Sequence, residues 1–295
     1  MDPGLCREDG REGHFTVKAA PFEYERPRDV DAIIALAARE DRVVKLIAGG
    51  QSLGPMLNLR LAQPDVLVDI THISELKRVE EAAQAITLGA CVTHADIEDG
   101  RAPDATGGAL RHVARDIAYR AVRNRGTLGG SLAHADPAAD WVSALSAMGA
   151  EVLVRGPEGR RTVPAAALMT GAFETMLAAG ELIEAVRIPR FSPGARWGYC
   201  KIARKTGEMA QAIGAFLHDP ERGVCRAVMG ATESLPVVFE DAAALFGGDA
   251  REITASRFDA SVAMQALDAA AITDSVNRRL HLTALRRAIE RATRA

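Results

Sequence analysis

The sequence predicts an α+β protein built from two α/β units followed by a smaller C-terminal unit of strands and helices. Three observations support this fold class. A chain of 295 residues is long enough for about two domains of ordinary size. From Pro21 onward, short apolar segments of strand length alternate with segments of helical spacing. In the last hundred residues, strands give way to helices.

The first unit is predicted over residues 19–75. Asp29 has a residue type that caps helices, and apolar residues recur at i, i+3, i+4 and i+7 from Val30. Short apolar segments at 43–48 and 65–70 predict strands. The segment LGPMLNLRLAQP between them is irregular. The predicted order of elements in this unit is therefore strand, helix, strand, loop, strand.

The second unit is predicted over residues 76–190 and includes a hairpin around Pro157 to Gly159. Asp136 and Pro137 have the residue types of an N-cap and a first helical position, so a helix is predicted from Pro137 to Met148. The other predicted elements are a strand at 85–92, a helix capped by Thr93, a helix over 108–119 and a strand at 181–189. The segment RNRGTLGGS is predicted to interrupt regular structure.

The third unit is predicted over residues 191–295, after the boundary sequence FSPG. The segments WGYCKIAR and GVCRAVMG predict strands, and two helical stretches follow near 236–246 and 274–293. At the other end of the chain, residues 1–18 are polar and lack periodicity, so they are predicted to be a mobile extension or a mis-assigned start.

Composition narrows the function classes. A formal net charge of -3 provides no basic field for a polyanion, so nucleic-acid binding is not expected. No apolar run approaches the ~20 residues that span a bilayer, and the N-terminus lacks a secretion signal, so a cytoplasmic protein is predicted. The four cysteines are far apart, which predicts buried thiols and no metal site.

Two glycine-rich segments are the most informative part of the sequence: IAGGQSLG at 47–54 and RNRGTLGGSL at 123–132. Each follows an apolar segment and contains adjacent glycines, which predicts a turn that exposes several backbone N–H groups. Ser52, Thr127 and Ser131 add hydroxyl donors. Turns of this kind bind phosphate, and a diphosphate needs donors from two sides. We therefore expect both loops to line one cleft.

Each loop alone could be only a tight turn, and two related loops favour a phosphate site over that explanation. Neither loop is a GxGxxG motif at a strand-to-helix junction, and the sequence contains no GxxxxGK[ST] motif. A Rossmann site and a P-loop ATPase are therefore disfavoured.

The segments AGGQSLGPMLNLRLAQPDVLVDI at 48–70 and RNRGTLGGSLAHADPAADW at 123–141 closely resemble the FAD-binding medium subunit of the molybdenum hydroxylases. This family includes carbon monoxide dehydrogenase and xanthine dehydrogenase. The phrases APFEYERP, GELIEAVRIP and YCKIARKTGEMAQA extend the resemblance over nearly the whole chain from Pro21. The resemblance implies a vanillyl-alcohol-oxidase-type (PCMH) FAD-binding fold, in which two α/β subdomains clasp FAD and a small C-terminal sheet-and-helix domain follows.

The resemblance also implies the cofactor-binding residues, and it implies no catalytic side chain and no metal ligand. Residues 48–52 match the first pyrophosphate loop, and residues 127–131 match the second. His134 is expected in a loop near the cofactor. The implied cofactor-binding residues are Ile47, Ala48, Gly49, Gly50, Gln51, Ser52, Leu53, Thr127, Leu128, Gly129, Gly130, Ser131, Asp140, Leu182, Lys201 and Met209.

The function that the resemblance implies is electron transfer. A large molybdopterin-binding subunit hydroxylates the substrate, a small subunit carries [2Fe-2S] clusters, and FAD on this chain passes the electrons to an external acceptor. A dimer of such heterotrimers is expected. Two alternatives remain open at this point: a stand-alone flavoprotein oxidase or reductase of the same fold, and a nucleotide-binding module without redox function.

Overall fold

The computed structural model describes residues 18–248 and 253–294. The predicted extension therefore lies outside the described residues except for Lys18, and so does Cys6. The first unit contains a parallel sheet with strand order β1-β3-β2. Its elements are β1 (Glu23–Glu25), α1 (Val30–Ala37), β2 (Val44–Ile47), α2 (Leu53–Asn58) and β3 (Val66–Asp69).

The predicted helix α1 is confirmed. The carboxylate of Asp29 accepts a hydrogen bond from the Ala32 N–H at 2.8 Å, and the apolar face beginning at Val30 is buried. The prediction of an irregular segment after β2 is wrong, because α2 forms there. Pro55 lies in the first turn of α2, where a missing N–H removes no hydrogen bond within the helix.

The second unit is built on an antiparallel sheet with strand order β4-β5-β10-β6-β7. The predicted hairpin is confirmed as β6 and β7, and a small two-stranded sheet pairs β8 with β9. In chain order the elements are β4 (Val79–Glu81), β5 (Ala85–Gly89), α3 (His94–Glu98), α4 (Ala109–Arg115), α5 (Arg120–Arg123), α6 (Leu128–His134), α7 (Asp140–Met148), β6 (Glu151–Gly156), β7 (Gly159–Pro164), β8 (Met169–Gly171), β9 (Glu174–Thr175) and β10 (Leu182–Pro189).

One prediction for this unit holds in part and another is wrong. The break predicted at RNRGTLGGS is confined to residues 124–127, which separate the end of α5 from the start of α6. The helix predicted from Pro137 begins at Asp140 instead. The Asp136 carboxylate accepts the Ala138 N–H at 2.9 Å and so caps a turn that precedes the helix.

The third unit is an antiparallel sheet of order β11-β12-β13-β14 covered by α9. A helix near 236–246 was predicted, but that segment holds a strand and a 3₁₀ helix at Ala242–Phe246. Two further elements of this unit, β12 and α8, were not predicted. The unit consists of β11 (Arg196–Ile202), β12 (Ala212–Asp219), β13 (Val224–Gly230), β14 (Val237–Phe239), α8 (Ala260–Ala269) and α9 (Ser275–Thr293).

Helix α7 packs between the second and third units, and every one of its residues is buried. It contacts β10 of the five-stranded sheet as well as β12 and β13 of the four-stranded sheet. Trp141 is fully buried within the shared core. This packing fixes the short segment that leads from α6 into α7, and therefore fixes the second glycine loop relative to both sheets.

Candidate functional site

The first glycine loop runs from Ile47 to Leu53, between the end of β2 and the start of α2. Five consecutive backbone N–H groups, those of residues 49–53, have no acceptor among the described residues. Gly50 has a φ of 72°, in the left-handed region that glycine adopts without steric cost. The loop therefore presents unpaired donors at the carboxyl edge of the parallel sheet, the edge where open α/β sheets bind ligands.

The two glycine loops are in direct contact. A Cβ atom placed on Gly49 would lie 2.0 Å from the Arg125 carbonyl oxygen and 2.9 Å from the Gly126 Cα. A Cβ atom on Gly130 would lie 3.7 Å from the Cβ of Ala48. Only glycine permits this approach at position 49, so the two loops lie side by side as expected. That they line one cleft for a ligand stays a prediction.

The second loop uses its backbone donors within the protein. It forms the start of α6, with Thr127 as the N-cap. Four of its N–H groups have protein acceptors at 2.9–3.1 Å. The Leu128 N–H donates to the Val92 carbonyl, and the Gly129 N–H donates to the Ala90 carbonyl. The Gly130 N–H donates to the Thr127 hydroxyl, and the Ser131 N–H donates to the Thr127 carbonyl. The prediction that this loop exposes several free N–H groups is therefore wrong.

Within residues 127–131, the Thr127 N–H and the Ser131 hydroxyl have no hydrogen-bond partner in the described part of the chain. The adjacent glycines of this loop serve packing. A Cβ atom on Gly129 would lie 2.4 Å from the Cβ of Ala90, so glycine lets the start of α6 lie directly against the end of β5.

Asp140 and Lys201, both predicted to contact the cofactor, bind each other. The buried Asp140 carboxylate accepts hydrogen bonds from the Lys201 ammonium at 2.9 Å and from the Tyr199 hydroxyl at 2.7 Å. Lys201 also donates to the Asp116 carbonyl at 3.1 Å, which leaves one of its three N–H groups available. The contacts of Asp140 and Lys201 with a cofactor stay predictions.

Burial dominates the electrostatics of this cluster. It raises the pKa of Asp140 above its usual value, and the Lys201 ammonium opposes that shift. Burial, together with the nearby Asp140 charge, also raises the pKa of Tyr199 well above its usual value. The hydroxyl of Tyr199 therefore stays protonated and acts as a donor to Asp140.

Leu182 and Met209 occupy different surroundings. Leu182 is buried with the apolar residues of α1 and pairs with Arg155 of β6. β5 ends opposite Ala185, so no strand in the described part of the chain pairs with the Leu182 main chain on that side. Met209 is 55% exposed in the loop between β11 and β12. Their proposed contacts with the adenine end and with the flavin remain predictions.

The Met209 loop reaches the segment that precedes the second glycine loop. A Cβ atom on Gly207 would lie 3.0 Å from the Tyr119 ring and 3.3 Å from the Ala118 carbonyl oxygen. Arg123 in α5 fixes that segment through a two-point ion pair with Glu98 and through bonds to the Ala118 carbonyl. The Arg123 hydrogen bond lowers the pKa of Glu98, so the pair stays charged.

One histidine differs from its expectation, and another that was not predicted lies beside the second loop. His134 is not in a loop: it is the last residue of α6, and its ring centroid lies 5.2 Å from that of Phe173. His94 is buried beneath Gly126, and its Nδ1 accepts a hydrogen bond from the Trp141 indole at 3.1 Å. Burial lowers the pKa of His94 to about 4, so the ring is neutral at pH 7.

Sequence reasoning overlooked three residues beside the predicted site: His94, Arg125 and Tyr199. The sequence carries a signal for Tyr199, because residues two apart on a strand share a face and Lys201 is a predicted site residue. The roles of His94 and Arg125 depend on tertiary contacts with Trp141 and Gly49, which no local pattern reveals.

Three further observations concern the described residues. Cys91, Cys200 and Cys225 are buried and free, as predicted for them. No group of three or more His, Cys, Asp or Glu side chains within residues 18–248 and 253–294 is placed to hold a metal ion. In the same residues, no helix is both long and apolar enough to cross a membrane.

The chain is similar to known proteins over most of its length. A family model described as the FAD binding domain in molybdopterin dehydrogenase matches residues 20–191. The chain is 32% identical to the carbon monoxide dehydrogenase medium chain of Afipia carboxidovorans over 279 residues, which cover 92% of this chain and 96% of that protein. It is 41% identical to the nicotine 6-hydroxylase medium subunit of Paenarthrobacter nicotinovorans over 197 residues, covering 66% and 68% of the two chains.

The structure is likewise similar to a solved one. Carbon monoxide dehydrogenase from Hydrogenophaga pseudoflava superposes with a TM-score of 0.81 at 33% sequence identity, and the match covers 93% of this chain and 98% of that chain. This likeness confirms the predicted fold class, an α+β protein with the vanillyl-alcohol-oxidase-type FAD-binding fold and a small C-terminal domain. The residue limits of 19–75, 76–190 and 191–295 for the three units remain a prediction.

Proposed function

Because the chain belongs to the family of FAD-binding domains of molybdopterin dehydrogenases, we propose that it is the electron-transfer subunit of a heterotrimeric molybdenum hydroxylase. The chain is the FAD-binding medium subunit of a multi-subunit oxidoreductase of the molybdenum hydroxylase type. The electron route, the partner chains and the residues that bind FAD are the proposed part.

The unpaired N–H groups of residues 49–53 support FAD binding at this place most directly. A diphosphate carries negative charge and several acceptor oxygens, and consecutive backbone N–H groups in a glycine turn are suited to such an anion. The unpaired donors of residues 49–53 therefore fit the diphosphate of FAD. From the second loop we propose contacts by the Thr127 N–H and the Ser131 hydroxyl. The other proposed contacts are those of Asp140, Leu182, Lys201 and Met209.

Bound FAD supplies the redox chemistry, since it can accept electrons and release them to an external acceptor. The residues of this chain bind the diphosphate, hold the flavin in one orientation and shield part of it from water. No side chain is proposed as a general base, a general acid or a nucleophile.

The proposed partners are a large molybdopterin-binding subunit and a small [2Fe-2S] subunit, assembled as a dimer of heterotrimers. The names of relatives as medium chains or medium subunits support an assembly of several chains. Electrons would pass from the [2Fe-2S] clusters of the small subunit to FAD on this chain, and from there to an external acceptor. A cytoplasmic location belongs to the same proposal.

Binding to the purified full chain tests the cofactor site. We expect FAD to bind at micromolar concentration or below, and riboflavin to bind far more weakly because it lacks the diphosphate. Isothermal titration with both ligands measures the difference. If the chain binds neither ligand at high micromolar concentration, even beside its partner subunits, the proposed site is wrong.

Purification of the tagged chain from native extract tests the electron-transfer role. We expect two partner chains, with iron and molybdenum in the purified complex, and an acceptor-reducing activity that depends on FAD. The isolated chain should bind FAD and leave small organic substrates unchanged. Turnover of such a substrate by the isolated chain would contradict the proposal.

A further inference from the structure

The carbonyl group of Gly49 accepts hydrogen bonds from two side chains. The Gln51 side-chain amide donates to it at 3.1 Å, and the Arg125 Nε donates to it at 3.3 Å. A carbonyl oxygen has two lone pairs, so these donors use its full capacity. Arg125 lies 76 residues further along the chain and belongs to the second loop, so this bond ties the two loops together.

The orientation of this carbonyl determines where the next N–H points. In a planar trans peptide, the C=O of Gly49 and the N–H of Gly50 point in opposite directions. The Gly49–Gly50 peptide has no Cβ on either side, so little steric resistance opposes its rotation. Holding the Gly49 oxygen therefore holds the Gly50 N–H on the opposite side, where it has no acceptor among the described residues.

Arg125 holds Gly49 through its main chain as well. Its carbonyl oxygen lies where a Cβ of residue 49 would stand, at 2.0 Å from that ideal position. The Nε–H is the donor of the guanidinium group nearest to the main chain, and its hydrogen bond to the Gly49 carbonyl is partly buried. Backbone contact and side-chain bond together fix the Gly49–Gly50 peptide in one orientation before a ligand arrives.

We infer that Arg125 is a positioning residue for the diphosphate of FAD: it acts through the Gly49 carbonyl to preorganise the unpaired N–H groups of the first loop. This inference rests on the proposed binding of FAD between the two loops. Its effect is on affinity, because donors that are already oriented lose less entropy when they bind. It is distinct from a direct contact between the guanidinium group and a phosphate.

Two substitutions separate these roles. Arg125→Met removes the Nε–H donor and the charge. Arg125→Gln removes the charge but places an amide nitrogen at the same distance along the side chain as the arginine Nε, so the bond to Gly49 can form. Arg26→Met is the control, because Arg26 lies 3.5 Å from Asp69 at the same sheet edge and has no hydrogen bond to the loop among the described contacts.

The measurements are the Kd of FAD and of riboflavin, and the Tm of the ligand-free chain. We expect Arg125→Met to raise the Kd of FAD about tenfold, as for the loss of one oriented hydrogen bond. Arg125→Gln and Arg26→Met should change it by less than about threefold. The Kd of riboflavin and the Tm should change little in all three variants, which a general structural defect would not allow.

Two results would overturn the inference while leaving the FAD site intact. If Arg125→Gln weakens FAD binding as much as Arg125→Met, the guanidinium group contacts the phosphates directly. If Arg125→Met binds FAD like the wild type, the bond to Gly49 has no role in binding. A wild-type chain that binds no FAD would instead contradict the proposed site itself.

Discussion

The two sides of the candidate site differ in how their polar groups are hydrogen-bonded. On the first-loop side, residues 47–53, five consecutive backbone donors lack acceptors among the described residues. On the second-loop side, residues 127–131 with Asp140 and Lys201, most donors have acceptors within the protein. Adjacent glycines occur on both sides, so the same residue pattern accompanies unpaired backbone donors in one loop and a paired helix start in the other among the described residues.

This difference in hydrogen bonding follows from the structural element that comes after each loop. The first loop crosses from a strand to a short helix at the sheet edge, and no backbone carbonyl among the described residues accepts a hydrogen bond from its N–H groups at residues 49–53. The second loop starts a helix that lies against β5, and the carbonyl groups at the end of β5 and beyond it satisfy the helix N-terminus. Four predictions, ordered by expected effect, test this contrast.

The largest effect is expected from Lys201→Met on the second-loop side. The variant leaves the buried Asp140 carboxylate without its counter-charge, so we expect the free energy of unfolding to fall by about 4 kcal/mol. Urea denaturation measures the change. Lys205→Met is the control, since Lys205 is exposed and its pair with Glu208 spans 3.5 Å. Unchanged stability with lost FAD binding would make Lys201 a ligand and not a structural residue.

Acidification tests the second-loop side through His94. The pKa of His94 in the folded state, about 4, lies below its usual value of 6.5. Between these two pH values the unfolded state therefore binds more protons than the folded state. The free energy of unfolding falls as the pH drops from 6.5 to 4. The shift corresponds to about 3 kcal/mol. His94→Gln, which keeps an acceptor for the Trp141 indole, should flatten this part of the pH profile of Tm. A wild-type profile that is already flat would contradict a buried neutral imidazole.

Gly49→Ala tests the first-loop side. The added Cβ meets the Arg125 carbonyl oxygen at 2.0 Å, so the backbone must move, and we expect the Kd of FAD to rise about 100-fold, or about 2.7 kcal/mol. Gly54→Ala makes the same chemical change where a Cβ has no neighbour within 4 Å, and it should bind FAD like the wild type. Equal affinities of the two variants would show that the contact between the loops does not support binding.

The smallest effect is expected at the N-cap of α6. Thr127→Ala removes the oxygen that accepts the Gly130 N–H at 3.1 Å, which should lower the free energy of unfolding by about 1 kcal/mol. Thr127→Ser keeps the hydroxyl and should retain wild-type stability. Urea denaturation of the three proteins is the measurement. Identical stability of Thr127→Ala and the wild type would contradict the assignment of Thr127 as a stabilising cap.

Elements with clear local signals were predictable from the sequence. Helix α1 has both a cap at Asp29 and a regular apolar spacing, and the β6–β7 hairpin has its turn residues. Strand β12 was missed because all eight of its residues are buried, so the sequence AIGAFLHD shows no alternation. Helix α6 was missed because Gly129 and Gly130 are poor helix formers, and packing against Ala90 stabilises the helix instead.

The same distinction applies to the candidate site. The glycine pairs and their hydroxyl neighbours located both loops, because these residue types predict phosphate-binding turns without knowledge of the fold. Which N–H groups remain free was not predictable, since the acceptors at Ala90 and Val92 belong to a segment almost forty residues earlier in the chain. The pairing of Asp140 with Lys201 likewise depends on how α7 packs against β11.

A crystal structure of the FAD-loaded complex tests the contrast between the two sides most directly. We expect diphosphate oxygens within hydrogen-bond distance of the N–H groups of residues 49–53, with the second loop contributing through Thr127 and Ser131. The bonds from Leu128 and Gly129 to the carbonyl groups of Val92 and Ala90 should remain intact. A diphosphate bound by the N–H groups of Leu128 and Gly129, or located away from residues 49–53, would contradict this account.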